Sequence, residues 1–218
     1  MSRSVILKSS IFKKYWMSLT GLFLCLFLFG HLLGNLQLFS GTEEGRRAFN
    51  EYGYFMGHNI FIKILSYATY ISILFHAIDG ILLAIQNKKA RPVGYVKNNA
   101  KANSTFASRN MALLGSVILI FIVSHMANFW WVMKMSSKQM PLHAITITDP
   151  NSKQTQDLYI TQSGSMLPKA YFEGTDAAPA QMEIKNGQEF YSKEVNVIVG
   201  EGYKDLHSLV YAFFGHDK

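Results

Sequence analysis

Three histidines lie inside long apolar stretches of this 218-residue chain: His31 in "LFGHLLGNLQLF", His76 in "LFHAIDG" and His125 in "FIVSHMANFWW". An ionisable side chain within hydrocarbon is costly unless it faces a partner or a site. The plain alternative is a hydrogen bond that joins two helices. Neutral imidazole is also a standard ligand of haem iron, and helix-bundle cores are where facing side chains hold cofactors. The chemistry such a set offers is axial ligation and one-electron transfer. Asp79 follows His76 by three residues and so shares nearly the same helical face. It is either a group that orients an imidazole or a cofactor, or a carboxylate near the boundary reaching water or Lys88.

The elements that must carry these residues are set by runs without charge. None occurs from Tyr15 to Thr42 or from Asn110 to Met133, and Ile60 to Gln86 is interrupted only by Lys63 and Asp79. Each run exceeds the ~20 residues that cross a bilayer as a helix. Membrane helices are predicted at about 15–40, 60–86 and 110–133. The first is far longer than the ~7–15 apolar residues of a signal peptide, and no small-residue cleavage pattern follows it. The single cysteine, Cys25, lies within that helix, where a small packed residue is expected, and with no second cysteine an intrachain disulfide is excluded.

Residues 1–134 carry 14 basic and 4 acidic side chains, whereas 135–218 carry 7 and 10. That asymmetry fits membrane orientation rather than nucleic-acid binding. Basic residues place the N-terminus and the 87–110 loop in the cytoplasm and the 41–58 loop outside. Trp16, Trp130 and Trp131 fall at helix ends, where indoles prefer the headgroup layer. Residues 135–218 form a polar segment outside the membrane, with short β-like alternations in "HAITITD" and "EVNVIVG" and an amphipathic helix in "YKDLHSLVYAFF". His143, His207 and His216 are expected to be solvated there.

Depth follows from ~1.5 Å of rise per helical residue. His31 is fifteen positions from Trp16 and His125 is sixteen from Arg109, which puts them about 22 Å and about 24 Å from the inner side. His76 is ten positions from Gln86, which puts it about 15 Å from that side. His31 and His125 therefore share an outer level and suit the two axial positions of one haem, with His76 deeper toward the cytoplasm. Gly30, Gly34 and Gly80 leave room for a flat porphyrin, or simply for close helix contact. Arg109 and Lys14 are candidates for haem propionates or acidic headgroups, though membrane anchoring explains them equally well. His58, at the external end of the second helix, reads as interfacial, and Glu51 is the other titratable group near it.

The strings "SSIFKKYWMSLTGLFLCLFLFGHLLGNLQLF", "FHAIDGILLAIQNKKARPVGY" and "SRNMALLGSVILIFIVSHMANFW" resemble the first three spans of the diheme cytochrome b subunit of succinate dehydrogenase. The similarity is to the type in which a single anchor subunit binds both haems, and it covers roughly residues 8–134. It implies an all-α membrane protein of the bacterial inner membrane, a bundle of five helices in the family with three present here. It further implies two b haems, a flavoprotein subunit and an iron–sulfur subunit as partners, and a membrane quinone, with menaquinone the expectation. His31 and His125 would serve the distal haem and His76 the proximal one. Glu51 and His58 are the candidates near a quinone.

One departure stands out. The family places the second proximal ligand on a later span, and no apolar run after Met133 is long enough to cross. "YKDLHSLVYAFF" resembles the approach to span four. The expectation is that further spans lie beyond residue 218 or on a separate chain, or else that only one haem site is complete. Two rival readings are a transporter or proton-path protein using the intramembrane His and Asp, and a structural membrane protein whose histidines only pack helices. The transporter reading lacks the paired broken helices of many transporters.

Overall fold

The computed structural model describes residues 10–94, 96–97, 99–136, 140–174 and 178–215, so His216 and the basic residues Arg3 and Lys8 lie outside the described residues. The chain is mostly helical, and three helices are long and apolar enough to cross a membrane: Ile11–Phe39, Ile60–Ala90 and Met111–Met135. It also carries two small β-sheets, so the all-α expectation is corrected for the polar segment. Two compact units divide the chain, Met1–Leu36 with Ile60–Ser124, and Gln37–Asn59 with His125–Lys218.

In the first unit, α1 (Ser10–Asn35) packs against α3 (Ile60–Ala90), the helix after α2 (Glu43–His58). Small residues bring them close: a Cβ on Gly80 would meet Met17 Cε at 3.6 Å, and one on Gly21 would meet His76 Cε1 at 3.2 Å. Backbone groups in hydrocarbon must be satisfied internally, and hydroxyls here follow suit. Thr69, buried on α3, donates to the Leu65 carbonyl at 2.8 Å. Lys88 and Lys89 occupy the last turn of α3, where cations complement the helix dipole. Pro92 then disfavours continuation, because the residue before a proline avoids helical backbone. The short helices α4 (Ala100–Asn103) and α5 (Phe106–Arg109) precede α6 (Met111–His125). Beyond α6 the third apolar helix passes through one π-helical turn, Met126–Trp130, into α7 (Trp131–Met135).

In the second unit, the stretch read from sequence as the 41–58 loop is instead the 16-residue helix α2. Thr42 caps it by accepting from Gly45 N–H at 3.1 Å, and Glu43 and Glu44 favour its positive end. The polar segment builds two antiparallel three-stranded meanders. One contains β1 (Ala144–Thr148), β2 (Thr155–Ile160) and β3 (Met166–Pro168); the other contains β4 (Met182–Lys185), β5 (Glu189–Ser192) and β6 (Val197–Glu201). The alternating strings "HAITITD" and "EVNVIVG" fall on β1 and β6. Asn186 and Gly187 both have positive φ and make the left-handed turn between β4 and β5. The helix α8 (Leu206–Phe213), capped by Asp205, packs on α2.

Phe190 is 0% exposed and packs its ring against Phe172 and Tyr159, with centroids 4.9 and 5.6 Å away. It is the core residue shared by the two sheets. A Cβ on Gly202 would sit 2.7 Å from Phe190 Cζ, so glycine is what lets the β6 end pass over the ring. Phe190→Ala is expected to cost about 3–5 kcal/mol, the usual range for an aromatic truncated in a core. Hydrogen exchange on the full chain in lipid would read it as faster exchange throughout β2 and β5.

Candidate functional site

One of the three histidines of the apolar helices bonds across to a neighbouring helix. His76, on α3, directs its ring at α1, where its Nδ1 lies 3.0 Å from Thr20 Oγ1. Thr20 is buried, and its hydroxyl also lies 2.9 Å from the Trp16 carbonyl and 3.2 Å from that of Met17. A threonine in a helix habitually donates to the carbonyl four residues back. With its one proton spent there, the Thr20 oxygen presents a lone pair to His76 Nδ1–H. That tautomer leaves the Nε2 lone pair open, which is the state a metal-ligating imidazole requires. In this respect His76 fits an axial position of the haem that the family resemblance implies.

His76 therefore stands at the level of Thr20, eleven positions before His31 on α1, a separation of about 16 Å along the helix. His31 is stacked on Phe27, centroids 5.5 Å apart, and its carbonyl accepts from Asn35 Nδ2 at 2.7 Å. A Cβ on Gly30 would meet nothing within 4 Å, so the helix surface beside His31 is open. His125 ends α6, with its ring 5.2 Å from that of Phe129, and the π-helical turn begins at the next residue. A π turn inserts one extra residue into the helix and re-aims the side chains around it, and such turns recur at functional sites. His31 and His76 belong to one compact unit and His125 to the other. Among the described residues, no three His, Cys, Asp or Glu side chains converge as a metal-holding group.

The remaining sequence candidates divide. Gly34 lies on the last turn of α1, and Gly80 faces Met17. Asp79 has no hydrogen-bond or ion partner among the described residues. Arg109 is engaged within its own loop, donating to the carbonyls of Ala100, at 3.2 Å, and Ser104. Glu51 pairs with Arg47 at 2.7 Å on the exposed face of α2. His58 bonds the Tyr54 carbonyl through Nδ1 at 2.8 Å and stacks on that ring at 3.9 Å.

His143 and His207 overturn the expectation that they are solvated: they are 1% and 8% exposed. Both belong to a buried polar cluster that sequence reasoning missed. Asp205, 1% exposed, accepts from Arg46 Nε at 3.1 Å, from a second Arg46 nitrogen, from Asn50 Nδ2 at 2.8 Å and from Ser208 N–H at 3.1 Å. Asn50 uses its other amide proton on His143 Nδ1, at 2.8 Å, and its oxygen accepts from His207 N–H at 3.1 Å. The three bonds fix the orientation of the Asn50 amide, and an amide nitrogen only donates. His143 Nδ1 is therefore unprotonated, and Nε2 carries the ring proton 2.9 Å from Glu43 Oε1, without the alignment of a hydrogen bond. His207 packs against Tyr211, stacked at 4.4 Å, and edge-on to Phe49.

Burial raises the Asp205 carboxyl, but the bonds from Arg46, Asn50 and Ser208 outweigh it and hold the group below the usual carboxylate range. Burial, and then the Arg46 charge, push His143 below an ordinary imidazole, and Asp205 and Glu43 oppose without reversing this. Arg46 is desolvated yet held above its ordinary value by Asp205 and Glu43. The signals available in the sequence were Thr42-Glu43-Glu44 as a helix start and the inward face of "LHSLVYAF". The pairing of Arg46 with Asp205 across 159 positions had none.

No protein-family model, curated relative or solved structure matches the chain.

Proposed function

We propose that this chain is the membrane-anchor cytochrome b subunit of a succinate dehydrogenase or fumarate reductase. It would carry electrons between an iron–sulfur subunit and membrane quinone through b haem, with a flavoprotein partner performing the succinate chemistry. The observation that carries the reading is the pair Thr20–His76: an intramembrane imidazole whose Nδ1 is taken by a neighbouring helix, leaving Nε2 for a ligand. The resemblance of residues 8–134 to the diheme anchor, with one histidine in each apolar helix, supports it.

In this reading His31 and His125 would together hold one haem, the distal one, and His76 would help to hold the proximal one. Bound haem supplies a one-electron carrier within the bilayer. The apolar faces of α1, α3 and α6 would exclude water in a bilayer, and the nitrogens of the histidines and their burial would set how easily an electron is accepted. Arg109 steadies the basic cytoplasmic loop, whose charge would help orient docking of the hydrophilic subunits. Glu51 and His58 stay candidates for the quinone end, and menaquinone is the quinone proposed. The chain would be a multi-pass protein of a bacterial inner membrane with its N-terminus in the cytoplasm.

The test is spectroscopic. The native complex, purified with all its chains, should show a b-type reduced-minus-oxidised difference spectrum, and succinate should drive part of that reduction. A folded complex with no b-type absorbance overturns the reading.

A further inference from the structure

We propose that Thr20 is the positioning residue for His76, fixing the imidazole in the tautomer that presents Nε2 to a haem iron; this rests on the function proposed above. The geometry is specific. Thr20 Oγ1 is 2.9 Å from the Trp16 carbonyl and 3.0 Å from His76 Nδ1, within reach of both at once. The hydroxyl has a single proton. Given to the backbone, it turns the oxygen into an acceptor for the ring N–H. The ring is also held sterically, because Gly21 brings α1 so near that a Cβ there would lie 3.2 Å from His76 Cε1.

A bond from Nδ1–H to an oxygen draws the ring toward imidazolate character and raises its basicity as a ligand. That favours the oxidised iron. Removing the acceptor should therefore make the His76 haem easier to reduce, while a haem held by His31 and His125 keeps its potential. A bond that served only to fasten α1 to α3 would alter stability and leave the potential of a retained haem alone.

The experiment compares Thr20→Val and Thr20→Ser in the native complex, by redox titration and by the low-spin ferric electron paramagnetic resonance signals. Valine keeps the shape and removes the acceptor; serine keeps the hydroxyl. In Thr20→Val one of the two haems should shift toward the reduced form by about threefold to tenfold, in line with the net worth of one hydrogen bond. Its ferric signal should move with it, the other haem should hold still, and Thr20→Ser should return both to the wild-type values. Selective loss of one haem in Thr20→Val, restored by Thr20→Ser, supports the same role. Unchanged potentials and signals in Thr20→Val, or equal losses in both variants, overturn the inference and leave the proposed function standing. Absence of haem from the wild-type complex overturns both.

Discussion

Asp205→Ala is expected to destabilise the sheet-bearing unit strongly at neutral pH. The carboxylate takes hydrogen bonds from Arg46, Asn50 and the backbone N–H of Ser208, and it starts α8. Without it, Arg46 keeps only Glu43 as an ionic partner among the described residues, Asn50 loses one of the three bonds that orient it, and α8 loses its cap. Removing one partner of a buried ion pair costs about 3–5 kcal/mol, a large share of the ~5–15 kcal/mol that stabilises a typical domain. Hydrogen exchange on the full chain in lipid should accelerate by about a hundredfold to a thousandfold in β1, β2, β5 and β6. Asp205→Asn, which keeps the volume and one acceptor, should fall between. Unchanged exchange in the alanine variant would show that the cluster contributes little.

The same cluster predicts acid sensitivity in the wild-type chain, and the sign follows from two depressed values. His143 is held below an ordinary imidazole, so the unfolded chain takes up a proton near pH ~6.5 before the folded one does. Stability is complete above that value and falls as pH drops toward the folded one. Protonating Nδ1 would also set two donors face to face, because Asn50 Nδ2 already points there. Asp205, held below the usual carboxylate range, adds a second loss below pH ~3.9, as pH falls through its folded value. Exchange of the sheet amides, corrected for intrinsic rate, should begin to rise below pH ~6.5. Flat protection down to pH ~4.5 would contradict the neutral-His143 assignment.

The three apolar helices were legible because a charge-free run of this length has few other uses. Their observed ends, Ile11–Phe39, Ile60–Ala90 and Met111–Met135, sit within about four residues of those read from sequence. The β1 and β6 strands and α8 were visible as alternation and as an amphipathic pattern. Helix α2 was not: Arg46, Arg47 and Glu51 made it look like a charged loop, although Arg47 pairs with Glu51 on its exposed face and Arg46 turns inward to Asp205. The buried histidines were missed for a related reason. Whether a histidine in a polar segment is solvated depends on long-range partners, such as the Tyr203 carbonyl that accepts from His143 N–H at 2.8 Å, and composition carries no trace of these. Within the three apolar helices the histidines stood out because an ionisable side chain is costly in hydrocarbon. Thr20 did not, because a threonine bonded to its own helix backbone is ordinary there.

The second large effect concerns the histidines of the three apolar helices. On the proposed assignment, His31→Ala and His125→Ala, each introduced into the native complex, are expected to abolish the same haem, because each would remove one of the two side chains that hold it. His76→Ala should abolish a different one. Haem content and low-spin ferric signals, measured for the three single variants and for the His31→Ala, His125→Ala double variant, test this most directly. The predicted result is one haem lost in each single variant, the same signal missing for His31 and His125, no further loss in the double variant, and the other signal missing for His76. Three variants that retain both haems, or His31 and His125 variants that lose different signals, would contradict the assignment.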